Sequence, residues 1–382
     1  MKYKFFHLFS SKSVKIDSSP RYSSLNFDCP MNLDVKPYKA YAVLFIIMMC
    51  SVLSACHKPL PEEKRVEQQK QNEIQNITPD LNLICERLQK EMQQMSAQRT
   101  TFALQQINQD IRICLPLMPF SEQKKLMQLA DQMYAQFLKI DRSPEQQAAF
   151  DLYAHNQSQI PTIQQSQFEH LHIRDQYLLR HKGQAYIDLV DADDHKTSYQ
   201  RNAQYLAKVF APYFPDSEKE FMQELAAQNQ QPAFKKTTVL ITPDEMSRRA
   251  QFWENYLKKF PKSSYKHDAQ YLLNVYSSLL FIGLENSPVS VYFNGHSDIQ
   301  AASLTEIERL AEQKNSRLAD QARLFLKFIE MDNSKRLKTL GITENESGTE
   351  QNAQDQLQQY LYLKAFDFSK SDRACFTDAI CR

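Results

Sequence analysis

Histidine, cysteine and carboxylate spacing decides what chemistry this 382-residue chain can support. His170 and His172 form a His-x-His pair that could supply two metal ligands, with His155 not far upstream. On a helix, however, i and i+2 point to different sides, and no His-Glu-x-x-His motif is present. All three read as surface histidines. Asp188, Asp191, Asp193 and Asp194 invite comparison with a calcium loop. Counted from Asp191, the sixth position is Lys196 where glycine is required, and the twelfth is Asn202 where glutamate is required. The expected feature is therefore a solvated acidic turn between helices. Gly-x-Ser-x-Gly is also absent, which removes the common hydrolase elbow. The residues point to no metal, no cofactor and no enzyme.

One cysteine stands in a more informative setting. The apolar run from Tyr41 to Leu53 ends in Leu53-Ser54-Ala55-Cys56. This resembles the lipobox of bacterial lipoproteins, in which small residues precede an obligatory Cys. The resemblance implies cleavage between Ala55 and Cys56, and diacylglycerol attachment and N-acylation at Cys56. The run is about 14 residues long, short of the roughly 20 a spanning helix needs, and Lys36 and Lys39 supply the positive flank. Two acyl signals hold a protein durably on a membrane. Residues 31–55 thus form an expected signal peptide starting at Met31, with 1–30 an over-extended start. His57 follows the anchor, where Asp in Gram-negative lipoproteins favours inner-membrane retention. The implied address is the periplasmic face of the outer membrane. Residues 56–76 are charged, Gln-rich and carry Pro59 and Pro61, so they read as a tether spanning up to about 66 Å.

The 46 Lys and Arg nearly balance the 45 Asp and Glu, which leaves no electrostatic footprint for nucleic acid. Five glycines, none before Gly183, argue against a turn-rich β-sandwich or a nucleotide-binding α/β fold. Gln, Leu, Ala, Lys and Glu dominate, and all favour helices. The expected class is all-α. Beyond Cys56 four cysteines remain, an even number suited to an oxidising compartment. Cys85 and Cys114 lie on adjacent expected helices at similar distances from the turn between them, and Cys375 and Cys381 enclose a short loop. The expected pairs are Cys85–Cys114 and Cys375–Cys381.

Helical starts are clear along residues 77–200. Thr78-Pro79-Asp80 opens a helix carrying Leu81, Ile84, Cys85, Leu88, Met92 and Met95. A second bears Phe102, Leu104, Ile107, Ile111 and Cys114 and stops before Pro116. Ser121-Glu122 opens a third with Leu126, Leu129, Met133 and Phe137 on one face, and Ser143-Pro144-Glu145 a fourth.

Residues 201–340 contain related segments. Phe210-Ala-Pro-Tyr-Phe-Pro215-Asp-Ser217 matches Tyr256-Leu-Lys-Lys-Phe-Pro261-Lys-Ser263. The second copy follows a capping box, Thr242 to Glu245, and has Met246, Ala250, Trp253, Leu257 and Phe260 as a core stripe. A third begins at a box from Ser303 to Glu306. These segments resemble tetratricopeptide helix pairs, and Phe252–Leu273 in particular resembles repeats of the BamD-type outer-membrane assembly lipoproteins. Their spacing exceeds the tetratricopeptide period of about 34 residues. The resemblance implies a helical superstructure that holds a protein partner, either an α-solenoid or an irregular helical bundle. Trp253, Tyr256, Tyr265, Tyr271, Tyr292 and Phe293 are the expected groove lining. Lys236–Ile241 and Ser287–His296 read as extended connectors. Residues 341–382 read as a mobile polar linker, a helix with Leu357, Leu361 and Leu363, and the Cys-bounded tail.

The leading functional expectation is a non-enzymatic, lipid-anchored scaffold binding an envelope protein. Alternatives are an inhibitor or immunity lipoprotein against a toxin or cell-wall hydrolase, and a periplasmic hydrolase built from dispersed carboxylates. Oligomeric state is left open.

Overall fold

The computed structural model describes residues 81–155, 166–191, 197–342, 352–364 and 375–381. Ala55, Cys56, the signal peptide, the tether, Thr78-Pro79-Asp80, Asp193, Asp194 and the polar linker after Ile342 lie outside the described residues. The fold is helical, with three two-stranded antiparallel hairpins.

The N-terminal part comprises helix α1 (81–93), α2 (Thr101–Cys114), α3 (Phe120–Phe137), α4 (Pro144–His155) and α5 (Ile173–Arg180). Helix α2 is capped by Thr100, whose hydroxyl accepts from the Ala103 amide at 3.2 Å. It buries Leu104, Ile107, Ile111 and Cys114 and runs into a 3-10 turn at Leu115–Leu117. Phe102 departs from the expected stripe and is 73% exposed. A spacing of two from Leu104 puts it on the opposite side of the helix. Cys85 and Cys114 join α1 to α2, with Cα atoms 5.5 Å apart.

An acidic turn was expected at 188–194. The structure instead has a hairpin, β1 (Ile187–Asp191) paired with β2 (Thr197–Arg201), Leu189 facing Tyr199 in register. Ile187 and Tyr199 are buried in the first core, so this ribbon is half-interior. Helices α6 (Gln204–Val209) and α7 (Asp216–Gln230) follow.

The C-terminal part is built on two packed pairs: α8 (Pro243–Lys259) with α9 (Lys266–Phe281), and α10 (Ala301–Ala311) with α11 (Arg317–Ile329). The pairs also pack on each other. Glu254 on α8 fixes that arrangement, accepting from the Ser316 hydroxyl at 2.7 Å and the Arg317 amide at 2.6 Å. A carboxylate at a helix N-terminus also meets the positive end of the helix dipole. Short hairpins β3 (Phe234–Lys235)–β4 (Thr238–Val239) and β5 (Gly283–Leu284)–β6 (Ser287–Pro288) flank α8 and α9 in sequence. Helices α12 (Asn333–Leu340) and α13 (Ala353–Tyr360) pack together, and α13 also meets α11.

Neither expected capping box forms. Thr242 makes no side-chain cap bond, and the Glu245 carboxylate, which would complete the box, pairs instead with Arg248 and Arg249 at 2.6 and 2.5 Å. Helix α10 starts earlier, after Gln300, so Ser303 lies within it and Glu306 pairs with Arg309.

Helix α7 divides the interior. Met222 and Ala226 enter the N-terminal core, while Phe221 and Leu225 enter the C-terminal core. The two stripes are offset by one residue, about 100° of helix rotation.

Closing the 29-residue separation between Cys85 and Cys114 in the unfolded chain corresponds to about 3–4 kcal/mol on the chain-entropy account. In a Cys375→Ser/Cys381→Ser background, reduction should lower urea-unfolding stability by about that amount. An unchanged midpoint would exclude the pairing.

Candidate functional site

The residues singled out for chemistry are dispersed. His172 caps α5, its Nδ1 accepting from the Arg174 amide at 3.1 Å, and His170 is exposed. The side chain of His155 lies outside the described set. Asp188 accepts from Asn202 Nδ2 at 2.5 Å across the end of the β1–β2 ribbon. Among the described residues no group of three His, Cys, Asp or Glu is placed to hold a metal ion.

The six expected groove residues do not share a surface. Trp253 and Tyr256 are core residues, because their positions face α7 and α9 rather than solvent. The Trp253 Nε1 donates to Gln228 Oε1 at 3.1 Å, and the Tyr256 hydroxyl donates to the Ser217 carbonyl at 2.9 Å. Tyr265 is half-buried and stacks on Phe221 with ring centroids 4.4 Å apart; its burial pushes the phenol pKa up. Phe293 is fully buried against Phe325. Tyr271 is half-buried, leaving Tyr292 as the exposed member.

Tyr292 belongs to a loop whose geometry is defined by hydrogen bonds. Val291 and Tyr292 are 66% and 69% exposed, while Val289, Phe293 and Ile299 on either side anchor in the core. Asp298 accepts from the Ser290 hydroxyl at 2.6 Å and from the Asn294 amide at 3.0 Å. Those bonds, the Ser290 one first, hold its carboxyl below the ordinary aspartate range. Arg336 donates to the Phe293 carbonyl from beneath, and the Gly295 amide donates to the Ile329 carbonyl at 2.8 Å. At the loop's entry, Gly283 has φ +83°, and a Cβ there would sit 2.3 Å from the Ser287 carbonyl oxygen. Only glycine fits that turn. Val291 and Tyr292 are thus presented outward by a loop that hydrogen bonds hold in place.

A second feature joins remote parts of the chain. Arg201 reaches Asp131 at 2.7 Å and Asp378 at 2.8 Å, with its guanidinium against the Tyr205 ring at 4.6 Å. Burial opposes its charge, but Asp378 and Asp131 outweigh that and raise its pKa. Asn229 on α7 holds the same tail loop by donating to the Cys375 carbonyl at 2.9 Å. Cys375 and Cys381 are paired, with Cα atoms 4.0 Å apart. A cavity of about 190 Å³ opens beside Arg201. Sequence gave no sign of this triad, whose members are separated by other elements and share no motif; Arg201 to Asp378 alone spans 177 positions.

No protein-family model matches the chain, no curated protein matches it, and no solved structure matches it.

Arg201→Ala leaves two carboxylates without their cation and should cost about 3–5 kcal/mol in chemical denaturation. Tyr292→Ala should stay within about 0.5 kcal/mol. Equal effects would contradict the assigned roles. For Asp298 a depressed folded-state pKa means its contribution is complete above its ordinary value of 3.8 and fades as pH falls through the lower folded value. Hydrogen exchange at the Asn294 amide should stay protected to about pH 4 and lose protection in stronger acid. Loss of protection already near neutrality would show that Asp298 does not hold the loop.

Proposed function

We propose that the chain is a lipid-anchored scaffold of the bacterial cell envelope that binds a protein partner. In this reading Cys56 carries the acyl chains, residues 56–76 form the tether, and the protein stands on the periplasmic face of the outer membrane. The helix pairs α8–α9 and α10–α11 act as an irregular tetratricopeptide-like platform, and the loop around Val291 and Tyr292 meets the partner. One observation carries the reading: two large apolar side chains are held exposed by a loop whose neighbours are anchored in the core. Preordered aromatic side chains lose little conformational freedom on binding and serve well as anchors.

Two measurements test it. Cys56→Ser should release the protein from membranes into the soluble fraction and abolish incorporation of labelled fatty acid. Cross-linked envelopes containing the tagged protein should yield a near-stoichiometric envelope partner. Its recovery should fall about thirtyfold with Val291→Ser/Tyr292→Ala, as for a central hot spot of about 2 kcal/mol. Retention of the same partner by that double variant would refute the loop as the interaction surface.

A further inference from the structure

The outer face of α2 borders a polar cavity of about 400 Å³, roofed by the turn Gly183–Tyr186. Its lining includes Phe102, Gln105, Asn108, Gln109, Arg112 and Tyr186, and no carboxylate. That volume lies within the usual range for small-molecule sites, about 300–1,000 Å³.

The polar groups around the cavity are fixed by hydrogen bonds. The Tyr134 hydroxyl donates to the Ala185 carbonyl at 2.7 Å. It must therefore accept from Asn108 Nδ2, 2.9 Å away, which sets the orientation of that amide. The result is an Asn108 Oδ1 that accepts no hydrogen bond, on a side chain only 4% exposed. Arg112 Nη2 donates to the Tyr186 hydroxyl at 2.6 Å, while its buried Nε has no partner. A buried polar group without a partner costs roughly 1–3 kcal/mol, more when charged.

The roof is strained in the same place. Ala185 and Tyr186 are consecutive non-glycine residues at φ 50° and 61°. Each costs about 1–2 kcal/mol, and such strain concentrates at functional sites. The turn is held by bonds from the Gly183 amide to the Ile187 carbonyl at 2.8 Å and from the Asn202 amide to the Tyr186 carbonyl at 2.7 Å.

A ligand for this cavity needs an anionic acceptor for the partly exposed Arg112, which has no carboxylate beside it in the lining, and an apolar face for the exposed Phe102 ring. Groups that both donate and accept suit Gln105 and Gln109. Sugar hydroxyls do both, and a pyranose ring presents a C–H face. We propose that the cavity binds a saccharide bearing a carboxylate, of mono- or disaccharide size. This assignment is independent of the scaffold reading, since every lining residue belongs to the N-terminal core and its surface.

The test uses the full chain and calorimetric titration with three probes: the disaccharide of N-acetylglucosamine and N-acetylmuramic acid, neutral chitobiose, and an acidic tripeptide, Ala-Ala-Glu. The acidic disaccharide should bind at a single site, about tenfold or more tighter than chitobiose, as expected for a charge-assisted bond. Phe102→Ala should weaken it about tenfold with no change in unfolding midpoint, since that ring is exposed. Arg112→Gln should erase the preference for the acidic sugar. The proposal is overturned by no binding of the acidic disaccharide at millimolar concentration, by equal binding of chitobiose, by unchanged binding in Phe102→Ala, or by tighter binding of the tripeptide.

Discussion

Both cores depend on α7 being buried on two sides at once. Its Met222–Ala226 and Phe221–Leu225 stripes commit the helix to the N-terminal and C-terminal cores respectively. Each large apolar side chain so buried contributes about 1.5–3 kcal/mol of transfer free energy. The polar residues between the two stripes make tertiary contacts of their own. Glu218 accepts from Ser217 and Ser264 at 2.5 and 2.7 Å, Gln228 from Trp253, and Asn229 holds the Cys-bounded tail loop. A rotation of α7 would disturb both cores and the contacts to Ser264, Trp253 and the tail loop.

Helices must also end, and five glycines allow few glycine caps. Among the described helices α12 does stop at Gly341, with φ 70°. Elsewhere arginine supplies the missing donors. Arg174 donates to the Phe137 carbonyl at the end of α3, and Arg249 to the Gln228 and Gln231 carbonyls at the end of α7. Arg323 reaches the Ala311 carbonyl of α10, and Arg336 the Phe328 carbonyl of α11. A guanidinium has donors enough for several carbonyls and favours the negative end of the helix dipole. Because each arginine comes from another element, every such cap is also a tertiary tie. The exposed loop at Val291 and Tyr292 inherits its position from one of them, Arg336.

The helical stripes were legible where apolar residues recur at three and four: Leu104, Ile107, Ile111 and Cys114, or Met246, Ala250 and Trp253. Phe102 was assigned to a stripe on hydrophobicity although its spacing of two from Leu104 excluded it. The capping boxes at Thr242 and Ser303 matched in residue type, but the glutamates had arginines one turn away to pair with, and α10 begins before Ser303. The β1–β2 ribbon was obscured because its strands are only five residues long and Val190 breaks the alternation that Ile187, Asp188 and Leu189 begin. Trp253 and Tyr256 read as groove residues by aromatic character, yet they share α8's inward face with Ala250. The polar cavity and the Arg201 triad were hidden for a different reason: each is assembled from segments remote in sequence, and residue types alone carry no record of that proximity.

The Arg201–Asp378 contact also has a kinetic side. Its 177-residue separation makes its closure entropically costlier than that of the Cys85–Cys114 loop, by roughly 1.5 kcal/mol. A chain emerging from its N-terminus can complete α1 to α6 long before Asp378 exists to meet Arg201. In the folded protein the guanidinium lies against Tyr134 and Tyr205 with Asp131 as a second carboxylate partner. Both cores therefore draw on the same last-made segment: Ala379 packs in the N-terminal core and Cys375 in the C-terminal one, so neither is complete until the tail has been synthesised.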